Sequence, residues 1–134
     1  MKVKCLYNTG KALLKYERPP LGTSETQYGQ LEIGKEYLVM GMLLGEGILD
    51  YLIDSGGVIS ACPYPLFEIV DNKLNSNWFF RSFAQEDTIY PYQVAVWGYY
   101  ELVFDTSHFE KLVEVDEEAQ RIYFRRKIEI EREL

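Results

Sequence analysis

Hydrophobic and polar residues alternate at the start of the chain, where Val3, Cys5 and Tyr7 interleave with Lys2, Lys4 and Leu6. A period of two puts one set of side chains on a buried face, so this segment predicts a half-buried first strand. Asn8-Thr9-Gly10 breaks it. Residues 11 to 30 read as a long connection containing Arg18-Pro19-Pro20, packed in part through Ala12, Leu13, Leu14 and Tyr16. Leu31 to Glu36 reads as a turn into a second strand, Tyr37 to Leu44, which is apolar at nearly every position. Gly41 inside that strand predicts a bulge or a close backbone approach. Gly45-Glu46-Gly47 and Asp54-Ser55-Gly56-Gly57 predict hairpin turns on either side of a strand from Ile48 to Asp54. Val58 to Cys62 is the next strand. Pro63-Tyr64-Pro65 redirects the chain, because each proline fixes φ and lacks a donor. Leu66 to Val70 closes the series.

Five short strands joined by tight turns within about 70 residues are most economically buried as a small barrel, which leaves no exposed edges. The basic first strand ending in Asn8-Thr9-Gly10 is followed by Ile33-Gly34-Lys35-x-Tyr37-x-Val39, then Tyr51-x-Ile53-x-Ser55-Gly56, then Phe67-x-Ile69-Val70. This succession resembles small SH3-like β-barrel proteins of bacteriophages and Gram-positive bacteria, over residues 1–72. The resemblance implies a fold. SH3-like barrels serve as readers of peptides, nucleic acids and methyl-lysine, so it leaves function open.

After Asp71 the character changes. Asn72 to Asn77 is polar, Trp78 to Phe83 is dense in aromatics, and Ala84 to Thr88 is polar again. Tyr90, Tyr92, Val94 and Val96 alternate within Ile89 to Trp97, and Pro91 directs that strand to an edge. Tyr99 to Phe104 fits either a strand or a helix start. Ser107-His108-Phe109-Glu110 matches a capping box. Phe109, Leu112, Val113, Ala119, Tyr123 and Ile130 form a helical stripe behind it, and Glu117 precedes Arg121 in the favourable order. This predicts a helix over residues 107–132 with a break near Asp116. A rival pattern pairs Val113 and Val115 with Ile122, Phe124, Ile128 and Ile130 as a hairpin. The expected fold class is α+β: one domain over residues 1–134, with a barrel-like part (1–72) and a mixed extension ending in a helix (73–134).

Composition changes this picture in two respects. Aromatic residues make up 15% of the chain, eleven of them tyrosine, and tyrosine suits core edges and interfaces. The aromatic segments 78–83 and 90–100 therefore supply the candidate contact surface. Tyr64, Trp78, Tyr90, Tyr92 and Trp97 are the candidate binding residues. The net charge of −7 opposes phosphate backbones and favours a basic protein partner.

Candidate chemistry is sparse. Cys5 and Cys62 lie in apolar segments without metal-ligand spacing and read as buried free thiols. The lone histidine, His108, reads as an ordinary residue at the surface or in the first turn of its helix. Asp116-Glu117-Glu118 lacks the spacing of a calcium loop. No metal, cofactor or catalytic residue is expected. Met1-Lys2-Val3-Lys4-Cys5 is not followed by an apolar signal core, and no run reaches a membrane span of about 18 residues, so the cytoplasm is the expected compartment.

These features point to a non-enzymatic interaction module, by analogy a phage accessory or immunity-like protein, with a homodimer also compatible. Two alternatives stand beside it. One is a nucleic-acid-associated barrel using Lys2, Lys4 and the Arg121–Lys127 stretch. The other is a small enzyme using buried carboxylates.

Overall fold

The computed structural model describes residues 1–16, 26–45, 47–83, 93–105 and 107–134, with the side chains of residues 14–16 excepted. Arg18-Pro19-Pro20, Glu46 and the segment from Ala84 to Tyr92 lie outside the described residues, as do the side chains of Leu14 and Tyr16. The fold is α+β. Seven antiparallel strands run as β1 (Lys2–Cys5), β2 (Glu36–Gly45), β3 (Leu49–Ser55), β4 (Val58–Pro63), β5 (Phe67–Asp71), β6 (Phe79–Ser82) and β7 (Gln93–Gly98). Three helices follow: α1 (Tyr100–Phe104), α2 (His108–Val113) and α3 (Glu117–Arg132).

β2 organises the sheet. Along one edge it pairs with β3, from Val39↔Ile53 to Leu44↔Leu49. Its other edge is used twice. Glu36 to Leu38 pair with β1, and Gly41 to Gly45 pair with β7. The register shifts between Val39 and Gly41, which is the bulge that the interior glycine predicts. From Tyr37 onward the strand is apolar because both of its faces are largely buried. Tyr37 and Val39 belong to a core with Val3, Cys5, Tyr51, Ile53 and Leu66. Leu38, Met40 and Leu43 belong to a second core with Val96, Leu102, Val103, Tyr123 and Ile130.

The strand path is β4-β3-β2-β1-β5, with β7 and β6 added beyond β2. Its ends, β4 and β5, do not pair, so the sheet is open instead of closing into the expected barrel. Pro63 and Pro65 lie at the corner between them and have no N–H to continue a ladder. A 3-10 turn, Tyr64–Leu66, fills the corner, and the Leu66 carbonyl accepts from the Leu6 and Tyr7 amides (2.8 and 3.2 Å). The β3–β4 hairpin turns on Gly56-Gly57, both at positive φ, as a two-residue turn matched to strand twist requires.

The C-terminal region is helical, not a hairpin, and it breaks at Asp116 as expected. Asp116 caps α3 by accepting from the Ala119 amide at 3.0 Å. The capping box at Ser107 does not form. The Ser107 amide and hydroxyl donate instead to Asp105 Oδ1 at 3.0 and 2.8 Å, because the short turn after α1 puts that carboxylate closer than Glu110.

Candidate interaction surface

α1 is seated on the sheet by two glycines. Gly41 and Gly98 face each other across β2 and β7, and Leu102 lies over both. A Cβ on either would meet Leu102 Cδ2 at 2.6 or 2.5 Å. This close approach holds α1 along the end of β7 and places its outer residues beside β6.

Phe79, Phe80, Tyr100 and Phe104 then form an aromatic ledge, each between 41% and 53% exposed. Phe79 meets Tyr100 and Phe104 edge-on at 5.7 Å, on the face that carries α1. Phe80 lies on the opposite face, 4.9 Å from Trp97, its partner across the strands. The rings therefore wrap both faces of β6, which among the described residues pairs with β7 alone.

Of the five residues singled out from sequence, the three described ones, Tyr64, Trp78 and Trp97, are not brought together. Trp97 is half-buried beneath Phe80 and belongs to the ledge. Trp78 is half-buried and packs against the first core. Tyr64 is exposed in the 3-10 turn after β4, at the other end of the strand order. Tyr90 and Tyr92 lie outside the described residues. Sequence reasoning missed Phe79, Phe80, Tyr100 and Phe104 as individuals, although the segments it singled out contain the first three; Phe104 lies outside both. A period of two in β6 and the short apolar stripe of α1 were the available signals.

Candidate chemistry elsewhere is absorbed by structure. His108 is not a surface residue: it is 1% exposed, and its Nε2 shares a 2.6 Å hydrogen bond with the Tyr99 hydroxyl. Burial pushes the imidazole below its ordinary value, against the pull of Asp105 and Glu101. His108 does lie in the first turn of its helix, as expected, but not at the surface, because a neutral imidazole can be buried once a partner satisfies it.

The basic stretch of α3 is largely neutralised. Arg126 forms a bidentate pair with Glu101 at 2.7 and 2.8 Å, Lys127 reaches Asp54 at 2.7 Å, and Arg121 reaches Glu117 at 2.6 Å. The Arg126 hydrogen bonds hold the Glu101 carboxyl below its usual range, and Ser107 does the same for Asp105. Both shifts favour the charged form, the reverse of what a proton-donating acid needs.

Cys5 and Cys62 are free and buried, and burial raises both thiols, Cys62 to about 11. Among the described residues there is no group of three metal-ligating side chains, and no helix is long and apolar enough to cross a membrane. No family model, curated protein or solved structure matches the chain.

Proposed function

We propose that the protein is a protein-interaction module that meets its partner through the aromatic ledge of β6 and α1. The observation that carries this reading is the half-exposed aromatic rings on the two faces of β6, Phe79 with Tyr100 and Phe104 on one and Phe80 over Trp97 on the other, β6 pairing among the described residues with β7 alone. Water-facing aromatic clusters of this kind are typical of contact surfaces, where rings supply apolar area at little entropic cost. The net charge of −7 supports a basic partner, by analogy with phage accessory and immunity-like proteins of the cytoplasm.

The test compares tagged wild-type protein with a Phe80→Ser/Tyr100→Ser variant that keeps a cooperative melt. Both are used to capture partners from nuclease-treated lysate. A stoichiometric protein held by the wild type and lost by the variant is the expected result. A partner held equally by both overturns the ledge as the contact surface.

We also propose that residues 1–72 are related to the SH3-like proteins. The order β4-β3-β2-β1-β5, the long β1–β2 connection and the 3-10 turn before β5 support the kinship, while the open ladder departs from it. A sequence profile of relatives that aligned this region with a different fold class would overturn it.

A further inference from the structure

A second apolar site lies away from the ledge and shares no residue with it. The β3–β4 hairpin and the joint between α2 and α3 enclose a groove of about 270 Å³, lined chiefly by Val58, Ile59, Leu112, Val113, Val115 and Tyr123. That is space for about nine waters at ~30 Å³ each, enough for a large aliphatic side chain. Val58, Val113 and Val115 are 65–67% exposed, among the most exposed large apolar residues of the chain.

The backbone at this joint is unusual for its residue. α2 ends in a Schellman motif, with Val115 N–H donating to Leu112 O at 3.1 Å and Asp116 N–H to Lys111 O at 2.9 Å. The motif needs a left-handed residue at Val115, which has φ 61°, and glycine is the default there. A β-branched residue in that conformation is strained and gains no burial in return. The Val115 side chain lines the groove.

The rim is acidic. Glu114 separates Val113 from Val115, Asp116 follows Val115, and Glu110 lies one helical turn before Val113. All three are exposed, and among the described residues Glu110 and Glu114 form no ion pair. From Asp105 to Tyr123, the last residue of the lining, the chain carries six carboxylates against Lys111 and Arg121, and Arg121 is paired with Glu117.

We propose that this groove docks a cationic segment of a partner protein, with one aliphatic side chain seated between Val58, Val113 and Val115 and flanking lysines or arginines against the acidic rim. An apolar anchor supplies affinity and the rim supplies orientation and encounter rate. Charge complementarity selects this occupant. The lining is mainly apolar, exposed carboxylates at Glu114 and Asp116 adjoin it in the chain, and the protein as a whole repels anionic partners.

A dye-labelled peptide with a single leucine flanked on each side by several lysines, titrated with the full chain, tests the proposal by anisotropy. The expected result is saturable binding that weakens with salt and falls by about tenfold or more when serine replaces the leucine. Val113→Glu fills the groove at an exposed site while adding a negative charge. A purely electrostatic contact would tighten with it, whereas groove docking weakens by about tenfold or more. Val115→Gly is expected to raise the melting temperature and weaken binding, a combination that a purely structural role would not produce. Absence of saturable binding, or indifference to the serine replacement or to Val113→Glu, overturns the proposal. So does a dimer that Val113→Glu dissolves and the peptide leaves intact, since the groove then takes a second copy of the chain.

Discussion

The Tyr99 hydroxyl and His108 Nε2 lie 2.6 Å apart, and their rings meet edge-on at 5.4 Å, closing the turn between α1 and α2 inside the second core. Because the folded imidazole resists protonation, the pair makes stability depend on pH. The folded value lies below the unfolded one, near 6.5, so the unfolded state binds the proton more readily. The His108 contribution is therefore complete above about pH 6.5 and is lost as pH falls from there toward the folded value. Urea unfolding between about pH 7.5 and about pH 5 should give a falling midpoint. His108→Gln should flatten that slope. Glu101 adds a separate, more acidic window, present above its ordinary value of 4.5 and lost below it as the carboxyl protonates.

The glycine seat under Leu102 gives a second expectation. Gly41→Ala puts a methyl group 2.6 Å from the Trp97 carbonyl oxygen as well as from Leu102, and a backbone atom cannot step aside. Thermal melts should register a loss of about 1–3 kcal/mol. Gly29→Ala, with nothing within 4 Å, is the control and should leave stability unchanged or raise it by up to about 1 kcal/mol.

Two arginines on α3 should behave differently. Arg126 and Glu101 are 23% and 15% exposed in their side chains, whereas Arg121 and Glu117 are 75% and 82% exposed. Arg126→Gln should cost about 2 kcal/mol in chemical denaturation, since it removes both hydrogen bonds from a half-buried carboxylate and leaves it only the more distant Arg125 at 3.9 Å. Arg121→Gln should cost at most about 0.5 kcal/mol, because water already screens that pair.

Asp54 receives both the Tyr123 hydroxyl and the Lys127 ammonium and so ties α3 to β3. Asp54→Asn should lower stability by about 2–3 kcal/mol. Combining it with Lys127→Met should cost less than the sum of the two single changes, which a double-mutant cycle would read as coupling. Strict additivity would mean that the contact contributes nothing of its own.

The parts of the fold that were legible in sequence are those governed by local period and turn chemistry. The apolar run of β2, the bulge at Gly41, the Gly56-Gly57 hairpin and the break at Asp116 all follow from residues within a few positions of one another. Placement across the chain was not legible. Nothing near Gly41 in sequence says that Gly98 will lie opposite it, or that Leu102 will fill the space both leave. The first-turn place of His108 was legible, but its burial was not, because the group that satisfies it is nine residues away and arrives only when α1 turns. The ledge was half legible. The aromatic density of residues 78–83 marked a region and strand alternation puts Phe79 and Phe80 on opposite faces, but only the pairing of β6 with β7 decides that Phe79 meets α1 and Phe80 meets Trp97.

β2 also bears on how the molecule comes apart. One strand supplies a wall to each core and is gripped by three neighbours, β1, β3 and β7. Among the described residues, β2 of the first 72 residues is laddered to β7 of the rest and packed beneath the helices. Severing the N-terminal strands from β2 bares the underside of the strand that the helices rest on, and lifting the helices exposes the same strand from above. Opening on either side therefore propagates to the other.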